Sequence, residues 1–126
     1  MKTLKDIKFR PHKYLEDAHQ GNLVLDNGLQ FSVVYGGDSY SNEGTYEVAC
    51  FFCNDMLRLG AYDDVIGYQT EEQFNAIVEK AHNLGSFVEE CQNKKTLAES
   101  LYSWLKQFYF LRVRWLLQQK TLYDLT

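Results

Sequence analysis

The chain has 126 residues, 45% of them hydrophobic and 24% charged, with a net charge of −4. Those values are ordinary for a single globular domain large enough to bury a real core. No uncharged run between Lys94 and Thr126 is long enough to cross a bilayer, and residues 1–6 lack the apolar stretch of a signal peptide. An intracellular protein with three reduced cysteines is therefore expected. Aromatic content is high at 15%, with nine Tyr and eight Phe, which favours a well-packed core or an adhesive surface.

The charge is segregated along the chain. Residues 1–13 sum to +4, residues 14–93 to −12 and residues 94–126 to +4. A solvated acidic surface is the plain explanation of the middle; the sharper one is attraction to a basic partner surface, such as a groove that normally holds nucleic acid. The basic ends also have the option of pairing with the middle, within the fold or across a dimer.

Residues 3–13 read as a short segment ending in an extended piece, because Pro11 biases Arg10 away from helix. Residues 14–20 show no period and read as loop or a helical turn. A hairpin follows, with strands at 23–25 and 29–35 around Asp26-Asn27-Gly28. A three-residue loop with Gly28 left-handed puts Leu23, Leu25, Leu29, Phe31 and Val33 on one face, which a two-residue turn would not. Residues 36–44 form a polar loop with Tyr40 near its tip, of the kind that often carries binding residues. A second hairpin is expected at 45–53 and 56–60, with an Asn54-Asp55 turn that sets Phe52 opposite Leu57 and Cys50 opposite Leu59.

Thr70 and Gln73 form a capping box for an amphipathic helix at 71–84, whose Phe74, Ile77, Val78, Ala81 and Leu84 share a face and which Gly85 stops. Ser86/Glu89 and Thr96/Glu99 repeat the capping pattern, which predicts a short helix near 87–92 before a long one at 97–122. The long helix carries Leu97, Leu101, Trp104, Phe108, Leu111, Trp115 and Leu122 on one row and Phe110, Val113 and Leu117 on another. One small body cannot easily cover both rows, so self-association through Trp104, Phe108, Phe110, Leu111, Val113, Trp115 and Leu117 is expected. The fold class is α+β: a four-stranded antiparallel meander covered by an amphipathic helix and followed by a long C-terminal helix. It forms one domain, with a body at 5–84 and a helical extension at 86–126.

Ile7-Lys8-Phe9-Arg10-Pro11-His12, Asn27-Gly28 leading to Phe31-Ser32-Val33-Val34, Gly44-Thr45-Tyr46-Glu47-Val48-Ala49 and Asp63-Asp64-Val65-Ile66-Gly67-Tyr68-Gln69-Thr70-Glu71-Glu72 follow one another in that order. Together they resemble a family of short bacteriophage proteins of unassigned activity, over about residues 5–84. The resemblance implies a phage origin, and so the host bacterial cytoplasm, but no mechanism. Lys13, the Cys50/Cys53 pair and the extension beyond Ser86 depart from the family pattern, and the extension is where a function particular to this chain would reside.

Chemistry is sparsely represented. Cys50 and Cys53 lie three apart in an expected strand and so face opposite sides, which argues against a zinc or redox pair. Nothing places an acid or an oxyanion donor beside Cys91 and His82, and Asp63-Asp64 reads more readily as a solvated pair than as a cation site. Arg112 and Arg114, beside Tyr109 and Trp115, point about 200° apart on a helix. No phosphate loop, nucleophile elbow or dinucleotide fingerprint is present. The expectation is a non-enzyme with no cofactor and no metal, which binds neither membrane nor, directly, nucleic acid. Its expected partner is a host protein, such as a nucleic-acid-binding defence complex, that it inhibits in the manner of an anti-CRISPR protein. Asp38, Tyr40, Glu43, Tyr62, Asp63, Asp64, Tyr68, Glu71 and Glu72 are the contact candidates, with tyrosines interleaved among acids. The alternatives are a sponge for a nucleotide signal and a dimeric structural or regulatory phage protein.

Overall fold

The computed structural model describes the backbone of residues 1–124, and their side chains except those of Phe110, Val113 and residues 116–124. It divides into two compact units, Met1–Lys94 and a second that begins at Lys95. The fold class is α+β, as the periodicities indicate. Its strands are β1 (Arg10–Pro11), β2 (Ala18–Val24), β3 (Leu29–Gly36), β4 (Tyr46–Phe52), β5 (Asp55–Leu57) and β6 (Ile66–Gln69); its helices are α1 (Glu71–Ala81) and α2 (Leu84–Asp124). A 3-10 turn at Leu4–Asp6 precedes them.

The sheet is wholly antiparallel and has six strands rather than the four expected, in the order β1-β2-β3-β4-β5 with β6 also on β4. The extra strands are β1 and β6, both short and both formed only by pairing with a longer strand. Arg10 and Pro11 pair with Gln20 and His19, so residues 18–20 are strand and not loop. β5 and β6 divide the remaining edge of β4 between them, β5 opposite Cys50–Phe52 and β6 opposite Tyr46 and Val48.

The first hairpin has the expected three-residue loop: Gly28 adopts φ +94 and its N–H reaches the Leu25 carbonyl at 3.0 Å. Leu23, Leu25, Leu29, Phe31 and Val33 are all buried, as a single face requires. Asn27 contributes more than a turn, because its Nδ2 donates to the carbonyl of Ala81 at the end of α1 (2.8 Å). The second hairpin turns one residue earlier than expected. Cys53 (φ 51) and Asn54 (φ 67) both take the left-handed conformation that a type I′ turn demands, pairing Phe52 with Asp55 and Cys50 with Leu57. The resulting shift is even, so the side-chain faces survive it. Leu57 and Leu59 still join the core side, and strand pairing ends at Leu57.

α1 begins at the predicted capping box: Thr70 Oγ1 accepts from the Gln73 N–H (3.2 Å) and Gln73 Oε1 from the Thr70 N–H (2.9 Å). It ends at Ala81, before Gly85, and α2 then runs unbroken from Leu84. The expected break between a short and a long helix is absent. Asn83 supplies the cap, its Oδ1 accepting from the Ser86 N–H (3.4 Å), and no Pro or Gly follows Gly85 to interrupt the helix. Ser86 and Thr96 therefore sit inside a helix, where the capping pattern has no end to cap.

The core lies between the sheet and one helical layer. Phe74, Val78 and Ala81 of α1 and Phe87 and Cys91 of α2 cover Leu29, Phe31, Val33, Val48 and Cys50. The N-terminal segment closes one side through Leu4 and Ile7, held to α1 by the Leu4 N–H on Asn75 Oδ1 (2.9 Å). Ile77 is only half-buried, at the rim. Phe74→Ala is expected to lower the unfolding free energy by roughly 3–5 kcal/mol, and Ile77→Ala by clearly less, in urea titrations of the full chain. Equal losses would contradict this packing.

Candidate functional site

The residues singled out from the sequence come from two segments, 36–44 and 62–72, and the fold joins them. The Tyr68 N–H donates to the Tyr40 carbonyl (2.9 Å), so the loop after β3 is fastened to β6. Two features of β6 make this possible. Its pairing with β4 contains an extra residue between the Val48–Ile66 and Tyr46–Gln69 pairs, and Tyr68 sits in that bulge at φ 56. Such a bulge turns an N–H and a side chain away from the ladder. Gly67 supplies the second condition: a Cβ there would lie 2.7 Å from Tyr40 Cβ and 3.0 Å from its carbonyl oxygen, so only glycine admits so close an approach. Both rings stay in solvent, Tyr40 at 54% and Tyr68 at 52% exposure.

The loop from Leu59 to Asp64 is closed by backbone bonds from Leu59 to Asp64 (3.0 Å) and from Gly60 to Asp63 (3.1 Å). Arg58 braces it, donating from Nε to the Gly60 carbonyl (3.0 Å) and from Nη2 to that of Ala61 (3.1 Å). Asp64 lies 3.9 Å from Arg58, and the Asp63 carboxylate accepts the Asp64 N–H at 2.7 Å. These two acids thus have local structural roles, which favours neither a cation site nor idle solvation. Tyr62, at the tip, is 96% exposed. Asp38, Glu43 and Glu72 are exposed as well, while Glu71 is half-buried in the first turn of α1, near Tyr46.

Two groups at this edge are not among the contact candidates read from the sequence. Glu47, on β4, is half-buried beside Asp63 and accepts a hydrogen bond from the Tyr40 backbone. Phe9, His19, Tyr35 and Tyr46 form a half-buried aromatic layer, with ring centroids 5.0 Å apart for Phe9–Tyr35 and His19–Tyr35 and 5.7 Å for Tyr35–Tyr46. It prolongs the core face of the sheet beyond Val33 and Val48. Residues 18–24, Ala-His-Gln-Gly-Asn-Leu-Val, carry no apolar alternation that would reveal it, and the layer forms because His19 pairs directly with Tyr35.

The cysteines are not placed for chemistry. Cys50 is fully buried and Cys53 lies exposed in the turn, so the pair shares no site. Burial pushes the Cys50 thiol up to about 12, with Cys91 adding to the effect. Burial also raises the Cys91 thiol, Lys94 opposing and Glu90 reinforcing, while His82 is exposed. A thiol raised in this way stays protonated and is a poor nucleophile. Of the helix residues, Trp104, Phe108, Leu111 and Trp115 are exposed, and so are Arg112 and Arg114. The side chains of Phe110, Val113 and Leu117 lie outside the described residues. No family model, curated protein or solved structure matches the chain.

Two outcomes are expected at this edge. Gly67→Ala forces Tyr40 away from β6, so the Tyr68 amide should exchange with solvent faster by on the order of tenfold, read by hydrogen exchange. The second outcome concerns Glu47. Burial raises its carboxyl above the ordinary 4.5, the Tyr40 hydrogen bond and His12 oppose the shift, and Asp63 adds to it. The folded state then binds this proton more tightly than the unfolded chain does. The contribution is present at low pH and is lost as pH rises from 4.5 through the raised value. Glu47→Gln removes that loss, so in urea unfolding the variant's stability relative to the parent's should rise as pH increases above 4.5.

Proposed function

We propose that this chain is a non-enzymatic phage protein that docks on a basic surface of a host protein and blocks it, using the β6 edge as its contact face. The observation that carries the reading is the Tyr40–Tyr68 junction, which gathers two exposed tyrosines from segments 28 residues apart in the chain. Tyrosines on a fixed backbone are suitable interface anchors, because a ring of large area with few torsions loses little entropy on docking. Asp38, Glu43, Asp63 and Glu72 lie on the same two segments and are exposed. They supply a field that speeds encounter with a basic surface and selects among partners, while the rings supply affinity. The buried, protonated thiols and the structural use of Asp63 and Asp64 leave little for a catalytic reading to stand on.

The test begins with capture of the partner from bacterial host lysate on the immobilised full chain, followed by association kinetics. Lys substitution at Asp38, Glu43 and Glu72 should slow association by about tenfold or more at low salt and flatten its salt dependence, with the melting temperature nearly unchanged. A charge-reversed chain that associates as fast as the parent at low salt would reduce these acids to a solvated face.

A further inference from the structure

The apolar row on α2 repeats with strict alternation: Leu97, Leu101, Trp104, Phe108, Leu111 and Trp115 are separated by four, three, four, three and four residues. That is the heptad seam by which one helix winds on another, rather than the broader stripe by which a helix lies on a sheet. All six side chains are at least 53% exposed, and Trp104 and Phe108 stack at 5.8 Å and 15° into one plate at the centre of the row. We propose that residues 97–115 form an antiparallel two-stranded coiled coil with the same segment of a second copy of this chain. The inference is independent of the contact face at β6.

Three observations select a second copy in that orientation. The first is size. With the plate at the centre, reversal sets Leu97 against Trp115, Leu101 against Leu111 and Trp104 against Phe108. Large therefore meets small at the ends, and aromatic meets aromatic only at the middle. A parallel pair would stack Trp104, Phe108 and Trp115 each on its own copy, in a gap of only about 8–10 Å between helix axes. The second is the flanks. In the antiparallel register exposed Leu105 meets Leu105 and Gln107 meets Gln107 across the two-fold axis, while Arg112 and Arg114 meet Ala98 and Ser100. A parallel pair would set Leu105 against Ser100 and gather both copies' Arg112 and Arg114 at one level. Reversal separates those cations by about 20 Å along the axis, beyond the screening length of physiological salt.

The third is area. Half-exposed leucine and aromatic side chains offer roughly 100 Å² each, so the row supplies on the order of 600 Å² per copy. Leu105 brings this near the roughly 800 Å² per partner of a stable interface. None of the three needs the side chains of Phe110, Val113 or Leu117.

The full chain should sediment as a dimer at tens of micromolar. Leu101→Glu combined with Leu111→Glu should weaken the dimer at least a hundredfold while leaving the melting of the Met1–Lys94 unit unchanged. Orientation is read by mixing a Leu97→Cys chain with a Trp115→Cys chain, both carrying Cys53→Ser, under oxidised glutathione. The expected product is the mixed disulfide. A monomeric parent, a dimer that survives the double glutamate substitution, or cross-linking of each variant only to itself would overturn the proposal.

Discussion

Everything in the Met1–Lys94 unit rests on the ring of Phe31. It lies on β3, between β2 and β4, and is fully buried. Phe74 of α1 meets it edge-on at 5.8 Å, and Phe87 of α2 meets it at 6.3 Å. One side chain thereby joins the sheet to both helices. Such aromatic contacts add about 0.5–1.5 kcal/mol each beyond their area burial. With that layer in place, α1 is held at its C-terminus by Asn27 and flanked by the N-terminal turn through Asn75. Its first turn then brings Glu71 to the end of β6, beside Tyr46.

The parts of the fold that were readable are those whose determinants are local. The three-residue loop at Gly28 followed from which side chains had to share a face, and the start of α1 followed from Thr70 and Gln73. The missed parts depend on strand pairings that their own residues do not announce. β1 is two residues long and exists only because β2 passes beside it. β6 exists only because β5 ends early enough to leave Tyr46 and Val48 unpaired. Gly85 looked like a stop because glycine so often ends helices, yet the chain had already turned at His82 and Asn83.

The candidate edge was half legible for the same reason. Its tyrosines and acids stood out by composition, but their meeting depends on a bulge at Tyr68 and a missing side chain at Gly67, neither of which has a local signature. Glu47 looked like an ordinary outward residue of a strand. Its environment is set by the backbone of Tyr40 and the carboxylate of Asp63, which arrive from either side in the sequence.

The unbroken course of α2 past Lys94 bears on how its later residues come to be helical. Starting a helix in water is the unfavourable step, with an equilibrium penalty of about a thousandfold, whereas each added residue costs little. Phe87 and Cys91 pin the opening turns of α2 inside the hydrophobic layer, so those turns form as part of the folded unit. From Lys95 onward the chain need only propagate a helix already begun. A sequence rich in aromatic residues, which are modest helix formers on their own, thereby has a template at its root.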